Sequence, residues 1–147
     1  MSSWFEVLVV SSDAAVRGHL ANILATLSID SACVSTLHEC HETLTQKRFG
    51  LVFCDPHLAD GNYQELLAAY PAPRAKPRVV VTSRTADWDE FKEAMRCGVF
   101  DVISVPYRHM DVEWMVIQAK RAERQAQASG PLRLQSPEFV KAASASA

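Results

Sequence analysis

Five short apolar runs, separated by five stretches of helical periodicity, constrain this chain more than any other feature. The runs are Glu6 to Val10, Ile29 to Val34, Gly50 to Cys54, Arg78 to Thr82 and Asp101 to Ser104. Each has strand length, and the first, third and fourth are near-continuously apolar, as strands covered on both faces must be. After the first run, Val16, Leu20, Ile23, Leu24 and Leu27 recur at helical spacing behind Asp13, whose carboxylate is placed to cap the first turn. Leu37 to Lys47, Asn62 to Tyr70, Trp88 to Cys97 and His109 to about Ala126 carry the other helical patterns, and Pro71-Ala72-Pro73-Arg74-Ala75-Lys76-Pro77 stops the third helix. Strand–helix alternation predicts a doubly wound α/β fold with a parallel sheet, because parallel neighbours need a crossover long enough to hold a helix. Strands one, three and four should form its centre.

With 147 residues, 48% hydrophobic and 22% charged, the chain suits one domain with a sizeable core. Fifteen basic and 17 acidic residues leave a formal charge of -2, which gives no electrostatic reason to expect nucleic acid or an anionic membrane as partner. The cluster Lys120-Arg121-Ala122-Glu123-Arg124 contains its own acid and reads as the solvated end of a helix. The N-terminus, Met1-Ser2-Ser3-Trp4-Phe5-Glu6, lacks the basic and apolar regions of a signal peptide, and no later segment is long enough to span a bilayer. A cytoplasmic protein is expected. Cys33, Cys40, Cys54 and Cys97 sit singly inside predicted elements, so they read as buried reduced thiols. His38, Cys40 and His41 are too close along one helix to converge on a metal ion without outside ligands. Residues 1–127 read as the domain, and 128–147, Ser-Gly-Pro and then Ala/Ser-rich, as a tail or linker.

In a doubly wound sheet the ligand site lies beyond the carboxyl ends of the strands, where the strand order reverses. The residues to weigh there are Ser11, Ser12 and Asp13 after the first strand, Asp55 after the third, Ser83 after the fourth and Val105 before Pro106 after the fifth. No Gly-rich phosphate loop follows the first strand, and no nucleophile and base pair stands at the strand ends, so an enzyme is not expected. His57, two positions past Asp55, reads as a solvated loop histidine overhanging the pocket.

Three stretches carry a resemblance to the receiver domain of bacterial two-component response regulators, over residues 5 to about 124. VLVVSSDAAVRGHL resembles the opening strand and helix, LVFCDPHLADGNYQELL the phosphoacceptor strand, loop and third helix, and VVVTSRTADWDEFKEAMRCGVFDVISVPY strand four through the Lys-Pro turn. The resemblance implies a flavodoxin-like fold, a five-stranded parallel sheet of order 2-1-3-4-5 with five helices. It also implies a division of labour. In that family an acidic pair and the phosphoacceptor aspartate hold magnesium, the aspartate attacks phosphorus, a Ser or Thr hydroxyl binds the transferred phosphoryl group, and a lysine contacts its oxygens.

By that resemblance Asp55 takes the acceptor position and Ser83 the hydroxyl position, while Ser11 and Ser12 replace the acids and Val105 the lysine. Pro106 is expected to follow a cis peptide, as in the matching turn. Magnesium needs hard anionic oxygens, so the ion is expected to bind weakly or not at all, with Asp55, Asp13 and the backbone at His57 as the remaining ligands. No other cofactor is expected. Asp13 directly follows Ser12, and adjacent positions at a strand end point different ways, so it replaces the lost acids poorly. Phosphoryl transfer relies on positioning and charge neutralisation; losing one stabiliser costs roughly 3 kcal/mol, and losing several leaves transfer very slow.

Receivers of this kind couple the strand-four hydroxyl to an aromatic on strand five. Val102 stands there, and valine has no comparable rotamer switch. The face of helix four, strand five and helix five is therefore expected to be fixed in one state or governed by a partner. Trp88, Phe91 and Met95 recur at spacings of three and four on helix four; Trp114, Met115 and Ile117 flank the core positions Val112, Val116 and Ala119 on helix five. The expected partner surface is Trp88, Phe91, Val102, Trp114 and Met115, facing a second copy or another protein. The expectation is a pseudo-receiver of two-component phosphorelay signalling that acts by protein contact. The alternative is a working receiver, phosphorylated on Asp55 by a histidine kinase through an altered metal site.

Overall fold

The computed structural model describes residues 4–71 and 75–129. Its strands are β1 (Glu6–Val10), β2 (Asp30–Val34), β3 (Leu51–Cys54), β4 (His57–Leu58), β5 (Gly61–Asn62), β6 (Val79–Ser83) and β7 (Asp101–Ser104). The helices are α1 (Ala14–Thr26), α2 (Leu37–Gln46), α3 (Tyr63–Ala68), α4 (Trp88–Cys97) and α5 (His109–Ser129). The main sheet has the order β2-β1-β3-β6-β7 with every neighbour parallel. The strands of the expected centre, β1, β3 and β6, do sit inside it. The short antiparallel hairpin β4-β5 is an element the apolar pattern does not signal, being only two residues on each side.

Alternation along the strands sorts the core into two layers. Val7, Val9, Phe53, Val80 and Ile103 face α1 and α5, where they meet Leu20, Leu24, Val112, Val116 and Ala119. Leu8, Val10, Val52, Val79 and Val81 face the other way, onto Leu37, Cys40, Leu66, Leu67 and Ala94 of α2, α3 and α4. Each such side chain, once fully buried, contributes roughly 1.5–3 kcal/mol, so both layers are needed to hold the central strands.

Caps fix the helix ends. Asp13 Oδ1 accepts from the amides of Ala15 and Val16 at 2.9 and 3.4 Å, as its position before α1 predicts. Thr36 and Glu39 share the start of α2, and Asp60 from the β4-β5 turn accepts from Leu37 N and His38 N at 2.7 and 2.9 Å. Those amides hold the Asp60 carboxyl below its ordinary value. Gly98 ends α4 at φ 97°, a left-handed conformation that a side chain would strain. At Gly50 a Cβ would sit 2.3 Å from the Phe5 ring, so glycine lets that ring close the base of β1 and β3.

Three expectations need correction. The helix-end cluster is not simply solvated: Glu123 is 2% exposed. Arg48 grips it with Nε and Nη2 at 3.0 and 2.9 Å, and Arg78 Nη1 adds a third contact at 2.9 Å. The residue falls on the buried stripe of α5, four positions past Ala119, at the end of the sheet where Arg48 precedes β3 and Arg78 precedes β6. Cys33 is exposed because β2 is an edge strand, while Cys40 and Cys54 are buried; all four thiols are free. The last helix, expected to end at about Ala126, runs as α5 to Ser129, and residues 130–147 of the expected tail lie outside the described residues. His38 faces Glu42 on the surface and Cys40 is wholly buried, so these two neighbours do not converge.

Candidate functional site

The carboxyl ends of β1, β3 and β6 bring Ser11, Asp55 and Thr82 together. Parallel register pairs Val10 with Cys54 and Cys54 with Val81, and the next step along each strand reaches these three residues. All three continue the side of the sheet that carries Val9, Phe53 and Val80. Asp55 is 9% exposed, its amide donating to Val10 O at 3.0 Å. Ser11 Oγ donates to Asp55 Oδ2 at 2.6 Å and Thr82 Oγ1 donates to Oδ1 at 2.8 Å. Both carboxylate oxygens are thus held by buried hydroxyls, the arrangement that lets an ionised group remain inside.

The hydroxyl on Asp55 belongs to Thr82, not to Ser83 as the sequence reading assigned it. One residue along a strand reverses the side chain. Ser83 shares the side of Val79 and Val81, and its Oγ accepts from Ala86 N at 3.3 Å, tightening the turn into α4. Strand alternation counted from Val80 is the signal that would have found Thr82.

The other site residues surround this clamp. Ser12 is exposed at the pocket rim. Asp13 does not reach Asp55: one oxygen caps α1 and the other lies 3.7 Å from Arg84 Nη2. Arg17 Nη1 donates to Ser11 O at 2.6 Å and helps fix the turn after β1. Val105 packs half-buried against the α1/α5 layer, with a cis peptide to Pro106. His57 is exposed on β4. Tyr107, which the sequence reading passed over, is buried under the site with its ring edge-on to Phe53 at 6.3 Å; burial and the Asp55 carboxylate push its hydroxyl well above the ordinary range.

These donors fit magnesium poorly. Magnesium needs several hard anionic oxygens; among the described residues, the strand ends bring only the Asp55 carboxylate to this point, and no cluster of three His, Cys, Asp or Glu is able to bind a metal ion.

A cavity of about 450 Å³ opens beside the clamp. Ser12, Asp55, Thr82, Arg84 and Glu90 are among its polar lining, and Val81, Phe91, Ala94 and Val102 among its apolar lining. Val102, half-buried, lies on the α2/α3/α4 side of β7. Beyond it, α4 and α5 both pack on β7. Trp88 is 66% and Trp114 57% exposed, and Trp88 stacks on Phe91 at 5.2 Å. Met115 does not belong to that surface: at 8% exposure it is part of the α1/α5 core, because it sits one helical step from Val116 on the buried stripe.

Comparison with known proteins agrees with this geometry. A two-component response regulator from Clostridium difficile superposes with a TM-score of 0.72 at 16% identity, covering 80% of this chain and 96% of that one. The receiver domain of an HD domain-containing protein from Pseudomonas fluorescens Pf-5 gives 0.76 at 17% identity, covering 87% and 95%. The beryllofluoride-activated NtrC4 receiver domain dimer gives 0.70 at 18%, covering 78% and 94%. A search of curated proteins finds no match. The response regulator receiver domain family matches residues 7–116, three quarters of the chain, and this protein belongs to that family as a receiver domain of two-component signalling.

Proposed function

We propose that this receiver domain is a pseudo-receiver: a non-enzymatic, cytoplasmic protein-contact module in which Asp55 is not phosphorylated at a useful rate. The hydroxyl clamp on Asp55 carries this reading. Where the family has an acidic pair the carboxylate meets Ser11, Thr82 holds its other oxygen, Val105 packs on the α1/α5 core in place of a lysine, and Asp13 is turned to its helix. No lysine stands at position 105, and the one guanidinium among the described residues lining the cavity, Arg84, lies 3.7 Å from Asp13 and makes no hydrogen bond to Asp55; each absent stabiliser costs roughly 3 kcal/mol of barrier.

The competing reading, phosphorylation of Asp55 by a histidine kinase, draws on one favourable feature, the Thr82 hydroxyl 2.8 Å from the carboxylate. Intact-mass measurement after incubation with acetyl phosphate and magnesium decides between them. No added phosphoryl mass is expected, and a phosphorylated fraction that disappears in Asp55→Asn defeats the proposal.

Output is assigned to the face of α4, β7 and α5, with Trp88, Phe91 and Trp114 as its apolar contacts. Burying either tryptophan contributes roughly 2 kcal/mol, which makes a second copy of the domain the simplest partner. The NtrC4 receiver domain, similar in fold, is a dimer in its beryllofluoride-activated form. Val102 offers no large rotamer change to couple this face to the pocket, so contact here is assigned to the unphosphorylated domain.

A further inference from the structure

We propose that the cavity beside Asp55 binds a small organic cation, an amine on an apolar body, as the input that replaces phosphorylation. The inference rests on the reading of Asp55 as an unphosphorylated carboxylate and names a ligand for that site. Three observations carry it. The cavity, about 450 Å³, lies within the range of small-molecule sites. Within a mixed lining, Val81, Phe91, Ala94 and Val102 present apolar surface that suits a ring or short alkyl chain.

The charges that line it are unbalanced in one direction. Asp55, Glu90 and Glu93 line the cavity against one guanidinium among the described residues, Arg84, which lies 3.7 Å from Asp13; Glu93 also meets Arg96, while Asp55 and Glu90 have hydroxyl partners. A carboxylate 9% exposed and held only by neutral donors is stabilised by a cation brought against its free lone pairs. An ammonium at Asp55 with its apolar body against Val102 satisfies both halves of the cavity. An anion would meet two carboxylates.

The probe is 2-phenylethylamine, with phenylacetate as the isosteric anion, titrated into the full chain without phosphodonor or magnesium and followed by amide chemical shifts. A Kd on the order of 1 mM or tighter is expected for about nine non-hydrogen atoms, with the largest shifts at Thr82, Ala94 and Val102. Phenylacetate, and the amine with Asp55→Asn, should each bind at least tenfold more weakly. If Asp55→Asn fails to give a folded spectrum, Val102→Phe, which fills the apolar side, replaces it with the same expectation. Absence of amine binding, equal binding of phenylacetate, or unchanged affinity in the folded variant overturns the proposal. Phosphorylation detected by intact mass would instead refute the pseudo-receiver reading, so the two failures are separate.

Discussion

Removing the Ser11 hydroxyl should cost the domain about 2 kcal/mol, and the loss should depend on the charge of Asp55. Ser11 is 1% exposed and its Oγ lies 2.6 Å from Asp55 Oδ2, so Ser11→Ala leaves a buried carboxylate oxygen without its donor. Hydrogen bonds to charged groups contribute roughly 1.5–3 kcal/mol and neutral ones about 1. Thr82→Val removes the second donor, 2.8 Å from Oδ1, while keeping the shape of the side chain, and should cost a similar amount. In an Asp55→Asn background only a neutral hydrogen bond remains to be lost, so the penalty should fall to about 1 kcal/mol or less, a coupling of roughly 1 kcal/mol between position 55 and each hydroxyl. Urea unfolding of the four members of each cycle measures this directly; in thermal unfolding of a domain of this size, about 2 kcal/mol corresponds to a melting temperature lowered by about 8 °C. If Ser11→Ala costs less than about 0.5 kcal/mol, or costs as much with asparagine at position 55, the hydroxyls do not hold the charge and the account of the pocket fails.

Other perturbations probe the remaining parts. Glu123→Gln should cost about 2–3 kcal/mol at neutral pH, discounted for the exposure of Arg48. Hydrogen bonds from Arg48, and against burial those from Arg78, hold the Glu123 carboxyl at about 2, below an ordinary 4.5. A depressed value stabilises the fold above pH 4.5 and ceases to do so as the pH falls toward 2, so wild type and variant should converge across that window in denaturant titrations. The combination Ser11→Asp, Ser12→Asp and Val105→Lys should create magnesium-dependent thermal stabilisation; a melting curve indifferent to magnesium would mean that the pocket is not shaped for the ion. Sedimentation should show weaker self-association for Trp88→Ala with Trp114→Ala than for wild type, and a monomeric wild type would remove the second copy as the partner of that face.

How much of this was legible before the structure depends on what each residue's signal reports. The strand–helix alternation, the central place of the first, third and fourth apolar runs and the position of Asp55 at a strand end follow from one-dimensional patterns, whereas the full strand order is implied by the family resemblance. Thr82 against Ser83 turns on a single step of strand alternation, and a resemblance that covers the stretch without counting that alternation chooses either residue. Glu123 looked solvated because its neighbours are charged; its partners, Arg48 and Arg78, come from two distant segments that only the folded sheet brings together. Met115 and Trp114 are adjacent in sequence yet one is core and the other surface, a distinction set by about 100° of helix rotation. The β4-β5 hairpin is too short to carry a periodicity, though Asp60 in its turn links it to the start of α2.

The two ends of the sheet treat buried charge in opposite ways, and the contrast bears on function. At the amino end, Glu123 is balanced by two guanidiniums, an arrangement that locks the far part of α5 to the segments before β3 and β6. At the carboxyl end, Asp55 has only hydroxyls, beside a cavity open on its α4 side. A carboxylate needed only to pin the fold is better served by the first solution, because a cation offsets the loss of hydration that hydroxyls offset only in part. Asp55, held by hydroxyls and not by a paired guanidinium, keeps a face toward the cavity at the site that family resemblance marks as the input. An incoming cation can take that face, while Val102, which lacks a large rotamer change, and the Glu123 anchor limit how far any such event alters the surface carrying Trp88 and Trp114.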